Sequence, residues 1–281
     1  MISIEHKVDA FSARIKQAIA SDQLQLPSLP DVALNVKTAC ESETATAQDI
    51  AEVITQDPAM TARLLQVANS SLYPSQQRSD TVPAAITRLG LKMVVNLVIS
   101  LSMKQLYHTH NDVIAERFRE LWLASTKTAA IARLLAQNIS HLDAEQAMLA
   151  GLIHNIGALP IILMAEDDDD LFDNPEALLK VTQTLQGPVG AYIFRKWRFP
   201  EMMAEVASEC YDFQRQHSGP ADYTDVIQVA LIEGSIYTGL ACPEDWSSVA
   251  AFAQLGIDTE CHVLDIEENK LIFEETSSLF K

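Results

Sequence analysis

Any chemistry this chain performs centres on one imidazole. His154 lies in the run Ala150-Gly151-Leu152-Ile153-His154-Asn155-Ile156-Gly157. An imidazole beside a carboxylate is a natural pair of ligands for a divalent metal. Here the neighbour is Asn155, whose amide keeps the shape of an aspartate and one acceptor oxygen but carries no charge. The run reads as a metal site with one ligand disabled, which bears on whether the chain is an enzyme at all.

Other reactive groups offer less. Cys210 with His154 could form a thiolate–imidazole pair, but nothing in the spacing brings them together, and a buried cysteine is inert by default. Cys40, Cys210, Cys242 and Cys261 are far apart, without a Cys-x-x-Cys pair for zinc or redox work. His108 and His110 sit in a polar junction and read as solvated loop residues. Asp167–Asp170 is an acidic loop without the ligand spacing of a calcium site.

The elements that must hold His154 are helices. Nine glycines in a chain rich in Ala, Leu, Glu and Gln predict helices joined by short turns. Val8, Phe11, Ile15 and Ile19 space an amphipathic helix over Ile4–Ile19. Asp31 can cap a helix over Val32–Cys40, Thr46-Ala47-Gln48-Asp49 resembles a capping box, and Asp57-Pro58 opens a further helix. A helix over Val82–Leu89 stops at Gly90, and an apolar one runs from Lys92 to Tyr107. The latter is apolar almost all round, the mark of a buried helix rather than one that reads DNA.

The polar run 108–112 is the expected boundary between two lobes. A leading helix, 1–24, precedes an N-terminal lobe, 25–107; a C-terminal lobe with a helical tail spans 108–281. Helices are predicted at Val113–Asn138, Asp143–Met164, Pro175–Gln186, Val189–Trp197, Pro200–Gln214, Tyr223–Gly239 and Ser247–Gln254, and again beyond Asp258. Within Asp143–Met164, Leu149, Leu152, Ile153 and Ile156 form an apolar face. Ala147, Gly151, His154 and Ala158 fall on another. Such small residues leave room for a neighbouring backbone or for a pocket with His154 at its floor.

With 38 acidic and 20 basic residues, the net charge of −18 argues against nucleic acid and anionic membranes as partners. The charged N-terminus is unlike a signal peptide, and the apolar stretches Met93–Met103 and Gly151–Ala165 are short and interrupted. A reduced, cytoplasmic protein is expected.

Five ordered stretches, from Leu26 to Tyr211, resemble the HDOD family, a branch of the HD phosphohydrolase superfamily whose metal motif has decayed. They are Leu26-Pro27-Ser28-Leu29-Pro30-Asp31-Val32-Ala33, Gln56–Ser70, Ala85-Ile86-Thr87-Arg88-Leu89-Gly90, Ala150–Gly157, and Val189-Gly190-Ala191 with Trp197-Arg198-Phe199-Pro200. The resemblance implies an all-α, two-lobed helical bundle with an HD-domain-like C-terminal lobe. It also implies a bacterial, non-catalytic signal-transduction module. Positions that hold metal ligands in active relatives fall at Ala124, His154, Asn155, Gln186, Cys210 and Tyr211, with a distal aspartate position at Leu231. One imidazole cannot hold a catalytic metal. No cofactor and no catalytic residue is therefore expected.

Two alternatives remain open on the sequence. A rearranged metal site would need at least two groups from Cys210, Glu209, Glu233, Gln186 or His217 to converge on His154. A nucleotide sensor in the relic cavity would need positive charge or a free helix N-terminus near His154; Arg195, Lys196 and Arg198 are the only basic cluster nearby in sequence. The expected partners are signalling proteins in trans, or a small ligand.

Overall fold

Polar residues ahead of apolar stretches decide where the helices begin in this computed structural model, which describes residues 4–42, 44–172, 174–235, 243–260 and 262–280. The N-terminal part comprises α1 (Ile4–Ala20), α2 (Asp31–Glu41), α3 (Ala47–Thr55), α4 (Pro58–Ala68), α5 (Val82–Leu89) and α6 (Leu91–Ser102). Thr46 and Asp49 close the capping box at the head of α3, the Thr46 amide donating to Asp49 Oδ2 at 2.7 Å. Asp57 accepts from the Met60 amide at 2.9 Å to cap α4, whose first residue is Pro58. Gly90 joins α5 to α6 with φ of +87°, a conformation that costs other residues. Val94 and the whole run Asn96–Ser102 of α6 are buried, so that helix is core.

A 3-10 turn, Met103–Tyr107, leads into α7 (Asp112–Ala136), the longest helix. Asn111 caps it by accepting from the Val113 and Ile114 amides at 2.9 and 3.2 Å. Its C-terminal half, Thr128–Ala136, is buried throughout. After it come α8 (Ala144–Ile153), α9 (Ala158–Ala165), the single turn α10 (Asp169–Phe172), α11 (Pro175–Lys196), α12 (Glu201–Glu209) and α13 (Tyr223–Glu233). The chain closes with α14 (Ala250–Leu255) and α15 (Glu267–Ser278). The described residues contain no strand; the fold is all-α.

One continuous apolar core runs from Val8 to Phe280. In it α7 packs on α8, α13 and α15; α11 packs on α12, α9 and α1; and α6 bridges to α8. The ion pair Arg133–Glu145, 2.9 Å and buried, ties α7 to α8, with the Arg133 guanidinium over the Tyr73 ring. Arg63 of α4 donates to the Leu279 carbonyl at 2.9 Å, tethering the end of the chain to the N-terminal helices.

Several sequence-based expectations need correction. Asp31, expected to cap α2, is its first residue, and no side chain caps that helix. The helix expected from Lys92 to Tyr107 is α-helical only to Ser102 and finishes as the 3-10 turn. The predicted Asp143–Met164 helix is two helices, α8 and α9, because the chain tightens into i→i+3 hydrogen bonds at Ile156, Ala158 and Leu159. The helices predicted at Pro175–Gln186 and Val189–Trp197 are one, α11, with Pro188 inside it. The helix predicted at Pro200–Gln214 stops at Glu209, and Gln228 reaches back to the freed Glu209 and Asp212 carbonyls. The helix predicted at Tyr223–Gly239 ends at Glu233, and residues 236–242 lie outside the described residues. Ala144–Ala165 is apolar enough by composition to cross a bilayer, yet 89% of its apolar window is buried inside the protein. It is core.

Candidate functional site

The short junction between α8 and α9 carries His154 and Asn155, both buried. Close backbone approach forces the geometry. A Cβ on Gly151 would lie 2.6 Å from the Ala129 Cα, and one on Gly157 would lie 2.0 Å from the Gln186 carbonyl oxygen. The glycines flanking the His-Asn pair therefore admit α7 on one side and α11 on the other. Of the two readings of the small residues, the structure selects a neighbouring backbone at Gly151.

His154 is 1% exposed, and its Nδ1 lies 2.7 Å from the Gly151 carbonyl. That oxygen only accepts, so Nδ1 carries the hydrogen and Nε2 keeps the lone pair. Burial pulls the imidazole down to about 4, so it is neutral near pH 7. The Tyr211 ring packs against it at 5.7 Å.

Asn155, also 1% exposed, has its side chain fully engaged. Oδ1 accepts from the Tyr107 hydroxyl at 2.8 Å and the Ser125 hydroxyl at 3.1 Å, and Nδ2 donates to the Leu121 carbonyl at 3.4 Å. Burial raises the Tyr107 phenol well above its ordinary range, so it remains a donor. Every member of this network is uncharged. An aspartate here would lose the donor that faces Leu121 and place a carboxylate against a carbonyl, with no cation nearby to offset the desolvation.

The remaining positions from the family comparison do not complete a ligand set. Ala124 is half-buried on α7, one residue from Ser125. Gln186 on α11 is 2% exposed, its Nε2 is without a partner, and it lines a cavity of about 280 Å³ between α7 and α11. Cys210 is buried at the end of α12; desolvation pushes its thiol far above the usual range, so it is neither a nucleophile nor a ready ligand. Tyr211 stands between His154 and a second cavity of about 730 Å³. Leu231 is core at 1% exposure.

The groups considered for a rearranged metal site are engaged elsewhere. Glu209 pairs with Arg215 at 2.7 Å. Glu233, its carboxyl raised by burial, meets His262 at 3.3 Å. His217 meets Asp225 at 2.9 Å. With Asp222 they form a group whose ligand atoms lie within 4.8 Å of one another. That group already has its cation: Arg215 donates to Asp222 at 2.6 Å and to Asp225 at 3.1 Å, and both aspartates form the capping box of α13. Arg195 and Lys196 pair at the surface with Glu201 and Asp22. A divalent metal at His154 would find one imidazole nitrogen and a committed amide. The residues present do not fit it.

Sequence reasoning missed Tyr107 and Ser125, which determine what Asn155 does. They are 48 and 30 residues away in the chain, and neither belongs to a motif. Ser125, directly after Ala124, was the one local hint.

The HDOD domain family matches residues 26–213, two-thirds of the chain, and the chain belongs to that family. The whole chain superposes on the whole of a Shewanella amazonensis SB2B protein, provisionally described as a metal-dependent phosphohydrolase, with a TM-score of 0.85 and 27% identity. An HDOD domain protein of unknown function from Geobacter sulfurreducens shares the fold, with a TM-score of 0.66, 18% identity and 99% of each chain covered. A Marinobacter aquaeolei VT8 protein, provisionally described as a signal transduction protein, superposes with a TM-score of 0.61 and 20% identity, over 97% of this chain and 64% of its own. An uncharacterized protein of Treponema pallidum (strain Nichols) is 26% identical over 209 residues, and the match takes 69% of this chain but 39% of the relative.

Proposed function

We propose that this chain is a regulatory module of the HDOD type that acts by binding and not by turnover, its partners being signalling proteins in trans or a small ligand. The observation that carries this reading is the commitment of Asn155. Its oxygen and its nitrogen are both used to hold Tyr107, Ser125 and the Leu121 carbonyl, so the residue replacing the metal-binding aspartate is a structural brace. A neutral His154, bonded to the backbone, is the second half of the same brace. Membership of the HDOD family and the likeness to the Marinobacter protein support a signalling role.

The description of the Shewanella relative raises phosphohydrolysis as the rival. It would need a metal-activated water, and the ligands for that metal are not assembled around His154. The test is elemental analysis of untagged protein purified without chelator, beside Asn155→Asp. The expected result is less than about a tenth of an equivalent of Fe, Mn, Zn or Ni in either protein, with Asn155→Asp destabilised by about 2 kcal/mol in urea. Near-stoichiometric metal that His154→Ala removes would overturn the reading.

A further inference from the structure

A further cavity lies away from His154. It occupies about 800 Å³ between α7, the junction after the 3-10 turn, and α15, within the roughly 300–1,000 Å³ of small-molecule sites. Its apolar lining is aromatic: Tyr107, Trp122, Phe273 and Phe280. Trp122 packs on Tyr107 at 5.1 Å and on Phe280 at 6.1 Å, and its indole N–H is already used on the Phe280 carbonyl at 3.3 Å. That hydrogen bond holds the end of the chain against α7 and fixes the rings in place. Leu123, 60% exposed, extends the apolar lining to the rim.

The rim has the opposite sign to the rest of the protein. Lys104, Arg119 and Lys127 line the cavity, against Asp112 and Glu116, whereas acids outnumber bases 38 to 20 in the chain. Glu116 and Arg119 pair with each other, which leaves Lys104 and Lys127 against Asp112. Lys127 is held by the Gly234 carbonyl, an acceptor that brings no opposing charge. An acidic surface would repel anions almost everywhere, and this rim is a local exception. Packed rings beneath Lys104 and Lys127 suit a flat apolar body bearing negative charge.

We propose that the cavity between α7 and α15 binds a small organic anion with a planar aromatic body. The proposal deepens the non-catalytic reading and rests on it in one respect: the anion would act by occupancy. The occupant would touch Tyr107, whose hydroxyl holds Asn155, so the ligand site and the His-Asn brace share a residue.

The test uses two dyes of similar shape, anilinonaphthalene sulfonate (an anion) and N-phenyl-1-naphthylamine (neutral), titrated into the whole chain. The sulfonate should bind once per chain and at least about fivefold more tightly than the neutral dye. Lys104→Glu should weaken the sulfonate by about fivefold or more and leave the neutral dye unchanged. Arg78→Glu, the same charge change outside this cavity, should alter neither. Phe273→Ala should weaken both, with circular dichroism melting to show that each variant folds. Equal affinity for the two dyes would overturn the proposal in favour of an apolar groove for a partner helix. Equal loss in Lys104→Glu and Arg78→Glu would overturn it in favour of net charge alone. Neither measurement depends on metal content, so this proposal and the non-catalytic reading can fail separately.

Discussion

The α8–α9 junction that carries His154 and Asn155 and the cavity between α7 and α15 meet at Tyr107, and they are built on opposite principles. At the junction, the side chains are 1% exposed, uncharged and bonded to neighbours within the protein. In the cavity, aromatic rings and cations face about 800 Å³ of open space. The tyrosine hydroxyl serves the first region and its ring lines the second. A motif that looks chemical is here bonded into the core, while the open cavity is lined by residues that belong to no motif. Burial explains the difference. A polar group taken out of water must be satisfied by partners, which leaves nothing for a ligand.

The sharpest way to break this contrast is at Gly157. Its added Cβ would meet backbone atoms at 2.0 and 2.5 Å, the Gln186 carbonyl oxygen and the Gly190 nitrogen, and neither can swing away. Gly157→Ala is expected to cost about 4 kcal/mol or more, read as loss of cooperative unfolding in urea. A tolerated alanine would mean that the packing of α11 on this junction is looser than described and could open to a ligand.

Next in size is the response to acid. His154 sits near 4 when folded against an ordinary 6.5, so between those values the unfolded chain takes up a proton that the folded chain refuses. Its contribution is intact above pH 6.5 and is lost as pH falls toward about 4, by roughly 3 kcal/mol in all. Comparing wild type with His154→Gln isolates the effect, since the variant should lack that part of the slope. An unchanged slope would place the imidazole in contact with water and return it to the list of possible ligands.

The smallest effects divide the two regions most directly. Tyr107→Phe removes one of two donors to Asn155 Oδ1 and should cost about 1 kcal/mol, because Ser125 still satisfies the oxygen. Leu123→Ala, at the cavity rim and 60% exposed, should stay within about 0.5 kcal/mol. If the Leu123 variant were the more destabilised, the cavity would be part of the core and not a site.

Much of the architecture was legible locally. Asp57, Asn111, Asp143 and Asn174 cap the helices that follow them through their own side chains, and such chemistry acts over two or three residues. The predicted helix over Val113–Asn138 and its observed counterpart, Asp112–Ala136, differ by a residue or two at each end. The errors came where local rules conflict with packing. Pro188 argues for a break, yet α11 continues through it because Val181, Leu185, Val189 and Ile193 are all held in the core. Leu152, Ile153 and Ile156 argue for one unbroken α-helix, yet the hydrogen bonds tighten to i→i+3 there, where α7 and α11 approach the backbone closely at Gly151 and Gly157.

The amino-acid sequence by itself determined the all-helical class, the acidic surface, the family, and the loss of charge at position 155, because each is a property of residue types and near-neighbour spacing. Only the tertiary structure decided what Asn155 does in place of an aspartate. Its partners come from three separated points in the chain, Tyr107, Ser125 and Leu121. The cavity likewise needs α15 laid against α7, with Trp122 bonded to a carbonyl 158 residues further along. No local pattern encodes such a meeting. It follows from how the apolar faces of the helices are buried together.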